Sequence, residues 1–479
     1  MKEGKHRLRF KISDQVHTYN VVVNSLCHSG FAQTEGSLWN VLWSAPLKPE
    51  CLRAYDKFKK CNHFPGTFQF GRKDNMYRHV SRMIREFGEE YRIVPKTWIF
   101  PEDLRRFQKE REDTTEAKLW ILKPANSACG RGIRILTKNS GLPKKGQFVA
   151  CEYIMRPHLL NGFKYDLRLY VFITSYEPLT IYLYREGLVR FATQPYSTKN
   201  TKTRFAHLTN FSVNKKAASF RAAEDGVDDA GASKWSLKGL QAAFKELGID
   251  YEAVFVRVKD LVVKAVLSVE PVIANNMQRA SRNRHLCFEL YGFDVILDAD
   301  LRPWLLEVNV LPSLSSGAEL DKRIKTALLT DVFSTVGVVP YNKKKVLREL
   351  EAAKWEKFSG IQAKPAPRDV DESCDLGLQP PSKIRPAKEL AAATELNEEE
   401  QTVIIEKLEE QSRCGDFERV FPLRATVDQY QKYFKAQRAP NLIWWRWLKL
   451  KREEKLAWLK DFKPHKNQAE LLCKLLDAQ

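Results

Sequence analysis

The sequence predicts a mixed α/β (α+β) fold, and three observations carry that expectation. Residues 118–340 alternate strand-like and helix-like segments, the pattern of sheets packed with helices. No apolar run approaches the ~18 residues expected of a membrane-spanning helix. No fixed-period repeat marks a solenoid or propeller. The 479 residues are 43% hydrophobic and 29% charged, a composition that argues against global disorder. At a prior of about 150 residues per domain, the length accommodates roughly two to four domains.

Charge says more about partners than about fold. Lys and Arg number 79 against 59 Asp and Glu, a net charge of +20, which suits nucleic acid, an anionic membrane or an acidic protein. The nine cysteines are scattered at 27, 51, 61, 129, 151, 287, 374, 414 and 473. None sits at CxxC spacing, so neither a disulfide framework nor a zinc site is expected, and the compartment reads as reducing. The opening Met1-Lys-Glu-Gly-Lys-His-Arg has charges with no apolar stretch behind them, so no secretory leader is expected.

Five regions follow in order. Residues 1–35 are a polar segment with one strand-like run, Tyr19–Asn24, and residues 36–117 form a small N-terminal domain. Residues 118–340 hold the central α/β unit. Residues 341–395 are a basic helix and linker, Pro365–Pro386 being rich in Pro, Lys, Ser and Asp. Residues 396–479 are a basic helical extension. It opens with a capping box, Asn397 and Glu400, and ends in one basic aromatic helix over 441–462.

Four segments carry chemistry. Two strand-like runs, 119–122 and 133–136, flank a small-residue loop with Gly130, Arg131 and Gly132, and Lys123 ends the first run. Such a loop lets backbone N–H groups approach phosphate, although an ordinary glycine hairpin has the same pattern and no Walker or GxGxxG motif is present. A second hairpin spans 287–309, turning near Ala299–Leu301. If Asp298 pairs with Arg302 or Pro303, Asp294 falls opposite Glu307 or its neighbour. In the register that pairs 294 with 307, Asn309 joins them on one face. Two carboxylates and an amide oxygen among apolar neighbours suit Mg2+; the alternative is a solvated polar face. The third segment, Lys164–Thr174, places Lys164, Asp166 and Arg168 on one face, and turns at Glu177-Pro178 and Glu186-Gly187 lead on to Arg190. This meander suits an anion and a sugar hydroxyl, or equally a salt-bridged solvent face. The fourth, His207–Lys215, offers Thr209, Asn210 and Ser212 in a polar loop.

Taken together and in order, these segments resemble the tubulin tyrosine ligase-like family from Asn62 to about Pro340. The matching stretches are Asn62-His-Phe-Pro-Gly66 with Gly71-Arg-Lys-Asp74, Leu122-Lys-Pro124 with Gly130-Arg-Gly132, Lys164-Tyr-Asp166, Gly187–Ala192, His207–Ser212, Gly292-Phe-Asp294, and Trp304–Asn309 with Pro312-Ser313. Details are most similar to the glutamylating branch, especially the type-4 polyglutamylases, and Phe417–Pro422 also resembles a segment of that branch.

The resemblance implies an ATP-grasp catalytic core and an ATP-dependent ligase. Such an enzyme joins free L-glutamate through an isopeptide bond to glutamate γ-carboxylates in the C-terminal tails of α/β-tubulin, by way of an acyl phosphate. It implies ATP and two Mg2+ ions as cofactors, tubulin tails and microtubules as partners, and a monomer. The location implied is cytoplasmic and cytoskeletal, on microtubules, with the choice among cilium, basal body, centriole and cytoplasmic array left open. Neither a membrane nor nucleic acid is expected as a partner. Lys123, Arg190 and Glu307 would be catalytic. Lys123, Cys129, Gly130, Arg131 and Gly132 would contact phosphates, and the 151–154 segment (Cys151, Glu152, Tyr153, Ile154) would lie beside adenine. Lys164 and Asp166 would hold base and ribose, with Thr209 and Asn210 near the nucleotide. Asp294, Glu307 and Asn309 would bind metal, and Arg190, Phe211, Ser212, Lys234 and Lys325 would receive glutamate. Cys151 stands where glutamine is common in the family, and Phe211 where tyrosine is frequent.

Two alternatives remain on the sequence. One is a ligase of the same family adding glycine or tyrosine, or acting on another acidic protein. The other is a non-catalytic protein binding microtubules or nucleic acid. For the 441–462 stretch, packing of its indoles on the core competes with a contact surface for microtubules and with nucleic-acid binding.

Overall fold

The computed structural model describes residues 8–55, 58–114, 117–127, 130–198, 203–215, 233–281, 283–340, 383–393 and 395–462, with residues 201, 217 and 348. The mixed α/β expectation is borne out: three sheets are interleaved with helices. None of the described helices is long and apolar enough to cross a membrane.

The first sheet is parallel, with β1 (Arg9–Ile12), β2 (Ala32–Gln33), β3 (Val41–Trp43) and β4 (Lys60–Cys61) in the order β2-β1-β3-β4. Here one expectation fails. The strand-like run Tyr19–Asn24 belongs to a helix, Asn20–His28. β-branched valines favour strands only weakly. Val21, Val22, Ser25 and Leu26 recur at helical spacing and are all buried, so tertiary packing outweighs the local preference.

The second sheet is antiparallel: β5 (Thr97–Phe100), β6 (Trp120–Pro124), β7 (Arg134–Leu136) and β8 (Phe148–Glu152), in the order β5-β8-β6-β7. The two runs flanking the glycine loop are β6 and β7, with Leu122 opposite Arg134.

The third sheet is the largest. Its strands are β9 (Leu159–Leu160), β10 (Phe163–Tyr176), β11 (Leu179–Tyr184), β12 (Leu188–Phe191), β13 (Lys234–Ser236), β14 (Glu289–Leu297), β15 (Pro303–Asn309) and β16 (Phe417–Phe421). β10 is its spine, pairing with β9, β11, β12 and β14. Alternation along β10 sends its residues to two different interiors. Leu167, Leu169, Val171 and Ile173 join the main core with the Tyr251–Ala280 helix. Tyr170 and Phe172 join a second core with the Glu319–Val336 helix and the first sheet. That second face begins with Lys164, Asp166 and Arg168.

Beyond residue 383 the chain closes on the same sheet. The capping box forms as expected: Asn397 Oδ1 accepts from Glu400 N–H, and Glu400 Oε2 accepts from Asn397 N–H. β16 extends the sheet at β11. The expected single helix over 441–462 is two, Ala439–Lys449 and Arg452–Asp461, because the Glu454 carboxylate accepts from Lys451 N–H and starts a new helix there. Trp444, Trp445 and Trp447 are buried, so packing describes these three indoles. Most of the 341–395 region lies outside the described residues.

Trp445 packs against Phe421 and Phe434, tying the extension to β16. Trp445→Ala is expected to lower stability by about 3–5 kcal/mol in urea unfolding. Val256→Ala, at a 63% exposed helix position, should stay within about 0.5 kcal/mol of the parent.

Candidate active site

A cleft lies between the second and third sheets. Lys123 and Ile121 line it from β6 and Cys151 and Glu152 from β8, while Lys164, Asp166, Asp294 and Glu307 line it from the third sheet. Thr209 and Asn210 close one side. The cleft therefore gathers residues that lie far apart in the sequence.

The charged floor is built from two cross-strand rows, since directly opposed residues share a face. Asp166, Arg190 and Lys234 stand in one row across β10, β12 and β13. Arg168, Asp294 and Glu307 stand in the other across β10, β14 and β15. The second row depends on a defect. Asp298 N–H donates to Arg302 O, and Leu297, Ile296 and Val295 face Pro303, Trp304 and Leu305. Continued regularly, that register would set Leu306 against Asp294. A β-bulge between Asp294 and Val295 moves Glu307 there instead, and Tyr77 donates its hydroxyl to the displaced Leu306 carbonyl.

Mutual repulsion of the carboxylates is relieved by side chains. Arg168 grips Asp294 with Nε at 2.6 Å and a second nitrogen at 3.2 Å. Arg190 reaches Asp166 at 2.7 and 2.6 Å and Asp294 at 2.8 Å, bridging the rows. Lys73, at the start of the Lys73–Phe87 helix, pairs with Glu307 at 2.9 Å and donates to Ser127 O, which ties the metal-expected hairpin to the glycine loop. Burial works to raise the Asp294 carboxyl, but Arg168 and Arg190 outweigh it and hold the group below the ordinary carboxylate range. Arg190 is driven further above its ordinary value by Asp166 and Asp294, against the opposing effect of burial.

The nucleotide-expected residues form a second network. Lys164 Nζ donates to Tyr153 Oη at 2.9 Å, and that oxygen lies 2.8 Å from His207 Nδ1. Burial pushes the Lys164 ammonium down to about 7, Asp166 opposing and Lys123 reinforcing the fall. Thr209 donates to Asp166 Oδ2 at 2.7 Å. Lys123 is a largely buried residue that lines the cleft, and its ammonium has no hydrogen-bond or ion-pair partner among the described residues. The N–H groups of Glu152 and Tyr153 are engaged by Lys96 O and Leu119 O. Ile154 lines the same wall, with buried Cys151 beside Tyr77. Gly130 takes φ +70°, and a Cβ there would sit 3.0 Å from Asn210 Oδ1, so the loop backbone lies directly on Asn210. Arg131 is exposed and Gly132 packs on Pro124; Cys129 lies outside the described residues.

The glutamate-expected residues converge as well, with one addition. Lys234 and Lys325 each approach Asp321 at 2.6 Å, and Phe211 lies 4.1 Å over Lys234 Nζ. Ser212 follows, half-buried. Asn309 stands two residues beyond Glu307 on the same face, its side-chain amide donating to Gly292 O at 3.3 Å. Asp321, Lys73, Tyr77 and His207 are absent from the sequence-derived set. Lys73 and His207 lay within quoted motifs; Asp321 stands four residues before Lys325 on one helix, a local i,i+4 signal, and Tyr77 gave none. Arg168 was legible from its alternation with Lys164 and Asp166.

Two measurements check this electrostatic picture. Competitive labelling read by mass spectrometry should give Lys164 a reactivity midpoint near pH 7, where ordinary lysine titrates near about 10.4. Asp321→Asn leaves Lys234 and Lys325 buried without their carboxylate and should cost about 3–5 kcal/mol at pH 7. Burial raises the Asp321 carboxyl, but Lys325 and Lys234 bring it below its ordinary value. Its contribution is therefore present above the unfolded value and lost as pH falls below it, so the gap between parent and variant should narrow below about pH 4.

With this geometry in place, comparison with known proteins is informative. Residues 52–346 match the model of the Tubulin-tyrosine ligase family. The chain is 36% identical over 459 residues to tubulin monoglutamylase TTLL4 of Mus musculus, covering 93% of this chain and 38% of that protein. It is 35% identical over 454 residues to tubulin polyglutamylase TTLL5 of Mus musculus, 92% of this chain and 34% of that one. The tubulin polyglutamylase ttll-4 of Caenorhabditis elegans is 36% identical over 437 residues, 89% of this chain and 70% of that protein. The chain thus spans well under half the length of the mouse relatives. A family match over this span, together with a relative covered over 70% of its own length, establishes that the chain belongs to the tubulin-tyrosine ligase family.

Proposed function

We propose that this chain is an ATP-dependent tubulin glutamate ligase with an ATP-grasp core. The observation that carries the reading is the cleft itself, which joins Lys123, whose ammonium is unpaired among the described residues, to the Asp166–Arg190 and Arg168–Asp294–Glu307 rows. Relatives bearing the names tubulin monoglutamylase and tubulin polyglutamylase support the substrate class.

In the proposed reaction an acceptor γ-carboxylate oxygen attacks the terminal phosphorus of ATP, giving an acyl phosphate and ADP. The α-amine of free glutamate, having lost a proton, then attacks the acyl carbon. A C–N bond forms, phosphate leaves with the C–O bond pair, and the nitrogen's surplus proton passes to the departing phosphate. Lys123 would bind phosphate oxygens, with Gly130, Arg131 and Gly132 beside it. Lys164, Asp166, Thr209 and Asn210 would hold the nucleoside against the 151–154 wall. Arg190, Lys234 and Lys325, with Phe211 and Ser212, would receive the two carboxylates of glutamate, for which cationic donors are apt.

The donor set fits Mg2+. Asp294, Glu307 and Asn309 carry hard oxygen atoms on one face; Glu307 and Asn309 each use one side-chain polar atom in contacts among the described residues, while the Asp294 oxygens, held by Arg168 and Arg190, would share their lone pairs with the metal. These three residues would hold two Mg2+ ions, which supply charge neutralisation for the phosphates. Surplus positive charge over the whole chain complements an acidic tail and would speed encounter at low salt.

Radiolabelled glutamate, ATP, Mg2+ and microtubules provide the test. The parent should incorporate label. Glu307→Gln should reduce incorporation by at least about a hundredfold, the scale of losing a residue that stabilises transition-state charge, while leaving co-sedimentation with microtubules intact. Full turnover in that variant would refute the assignment of Glu307, and uptake of glycine in place of glutamate would refute the glutamate reading.

A further inference from the structure

Lysine carries its charge on a flexible four-carbon stem, so an ammonium group that recognises a ligand must be held by its surroundings. Lys164 is held from several sides. Its Nζ donates to the Tyr153 hydroxyl at 2.9 Å. It also lies over two aromatic rings, Tyr153 at 4.4 Å and Tyr196 at 5.8 Å, both within the range of a cation–π contact.

The two tyrosines come from separate segments. Tyr153 follows β8, whereas Tyr196 lies beyond β12. The Tyr196 hydroxyl donates to Met155 O at 2.9 Å, and its N–H donates to Gly162 O. His207 touches both rings. It is 2% exposed, and its imidazole packs edge-on against Tyr153 at 5.8 Å and Tyr196 at 5.6 Å. Its Nδ1 lies 2.8 Å from the Tyr153 hydroxyl oxygen. A phenolic oxygen has one proton and acceptor lone pairs. Lys164 and His207 therefore fix its position from two sides, whichever of Tyr153 and His207 donates between them.

The place of His207 in the chain adds a second link. Thr209, two residues on, donates to Asp166 Oδ2 at 2.7 Å, and Asp166 shares a face of β10 with Lys164. The segment 207–209 thus supports both side chains expected to hold base and ribose. It reaches Asp166 directly and Lys164 through Tyr153. His207, Tyr153 and Lys164 all line the same cleft.

We propose that His207 is a positioning residue for nucleotide binding, holding the Lys164 ammonium in place for the nucleoside through Tyr153 and Tyr196. This inference rests on the reading of the cleft as an ATP site and adds to it the support on which the nucleoside contact depends.

Isothermal titration calorimetry of the full chain with Mg2+ tests the role by comparing ATP with inorganic tripolyphosphate, which carries phosphate charge but no nucleoside. His207→Phe keeps a ring between the tyrosines and removes the nitrogen facing Tyr153. It should raise the Kd for ATP about tenfold, the scale of one hydrogen bond, and leave the Kd for tripolyphosphate unchanged. In a Lys164→Met background His207→Phe should have no further effect on ATP, because the group it positions is gone. Tyr153→Phe, which removes only the hydroxyl, should reproduce the selective loss, and it decides the question if His207→Phe does not fold. An unchanged Kd for ATP, an equal loss for tripolyphosphate, or an additive loss with Lys164→Met overturns the positioning role. The parent judges the ligase reading separately. Failure of ATP to bind the parent refutes the nucleotide site, whereas binding that His207→Phe leaves unaffected refutes this inference alone.

Discussion

Charge compensation on one sheet face is the constraint around which the molecule is arranged. Asp294 is buried between Arg168 and Arg190, and Arg190 passes the same compensation to Asp166. Burying a carboxylate without such partners is prohibitive. Each member therefore fixes the position of the next, and β10, β12, β14 and β15 must keep the register that brings them together. The opposite face of β10 is free to be purely apolar against the Tyr251–Ala280 helix, which makes the floor rigid.

The walls of the cleft follow from this floor. Lys73 links Glu307 to the carbonyl of Ser127, so the glycine loop is coupled to the acidic hairpin without a bound ligand. Lys123 and Lys164 meet from opposite sheets, and the resulting excess of cations is suited to phosphate. On the far side, Asp321 gathers Lys234 and Lys325, so one carboxylate holds both ammonium groups in place. Such pre-organisation lowers the cost of ordering a site on binding.

The C-terminal extension is an integral part of this scaffold. β16 pairs with β11, and Phe417 packs against Phe172, Tyr182 and Tyr184, which belong to the sheet carrying the charged rows. Lys407 and Glu410 bury an ion pair against Thr174 of β10. The tryptophans that resembled a contact surface are largely interior, because helices with apolar residues on several sides are stable only when covered.

Sequence alone determined what depends on period and chemical type. Strict alternation set Lys164, Asp166 and Arg168 on one face. The two halves of the glycine hairpin and the Asn397 capping box are local features and formed as read. Tertiary structure decided whatever depends on a neighbour distant in the chain. The helix at Asn20–His28 exists because its valines find a core, and Asp321, already paired with Lys325 of its own helix, meets Lys234 of β13 only in the folded chain. The bulge at Leu306 shows the limit most plainly. Pairing near the turn and pairing at Asp294 differ by one residue, and no periodicity within the hairpin encodes where that shift falls. Tyr77, from a helix more than two hundred residues earlier, binds the displaced carbonyl and stabilises it, since a side-chain period of two fixes faces while only packing fixes register.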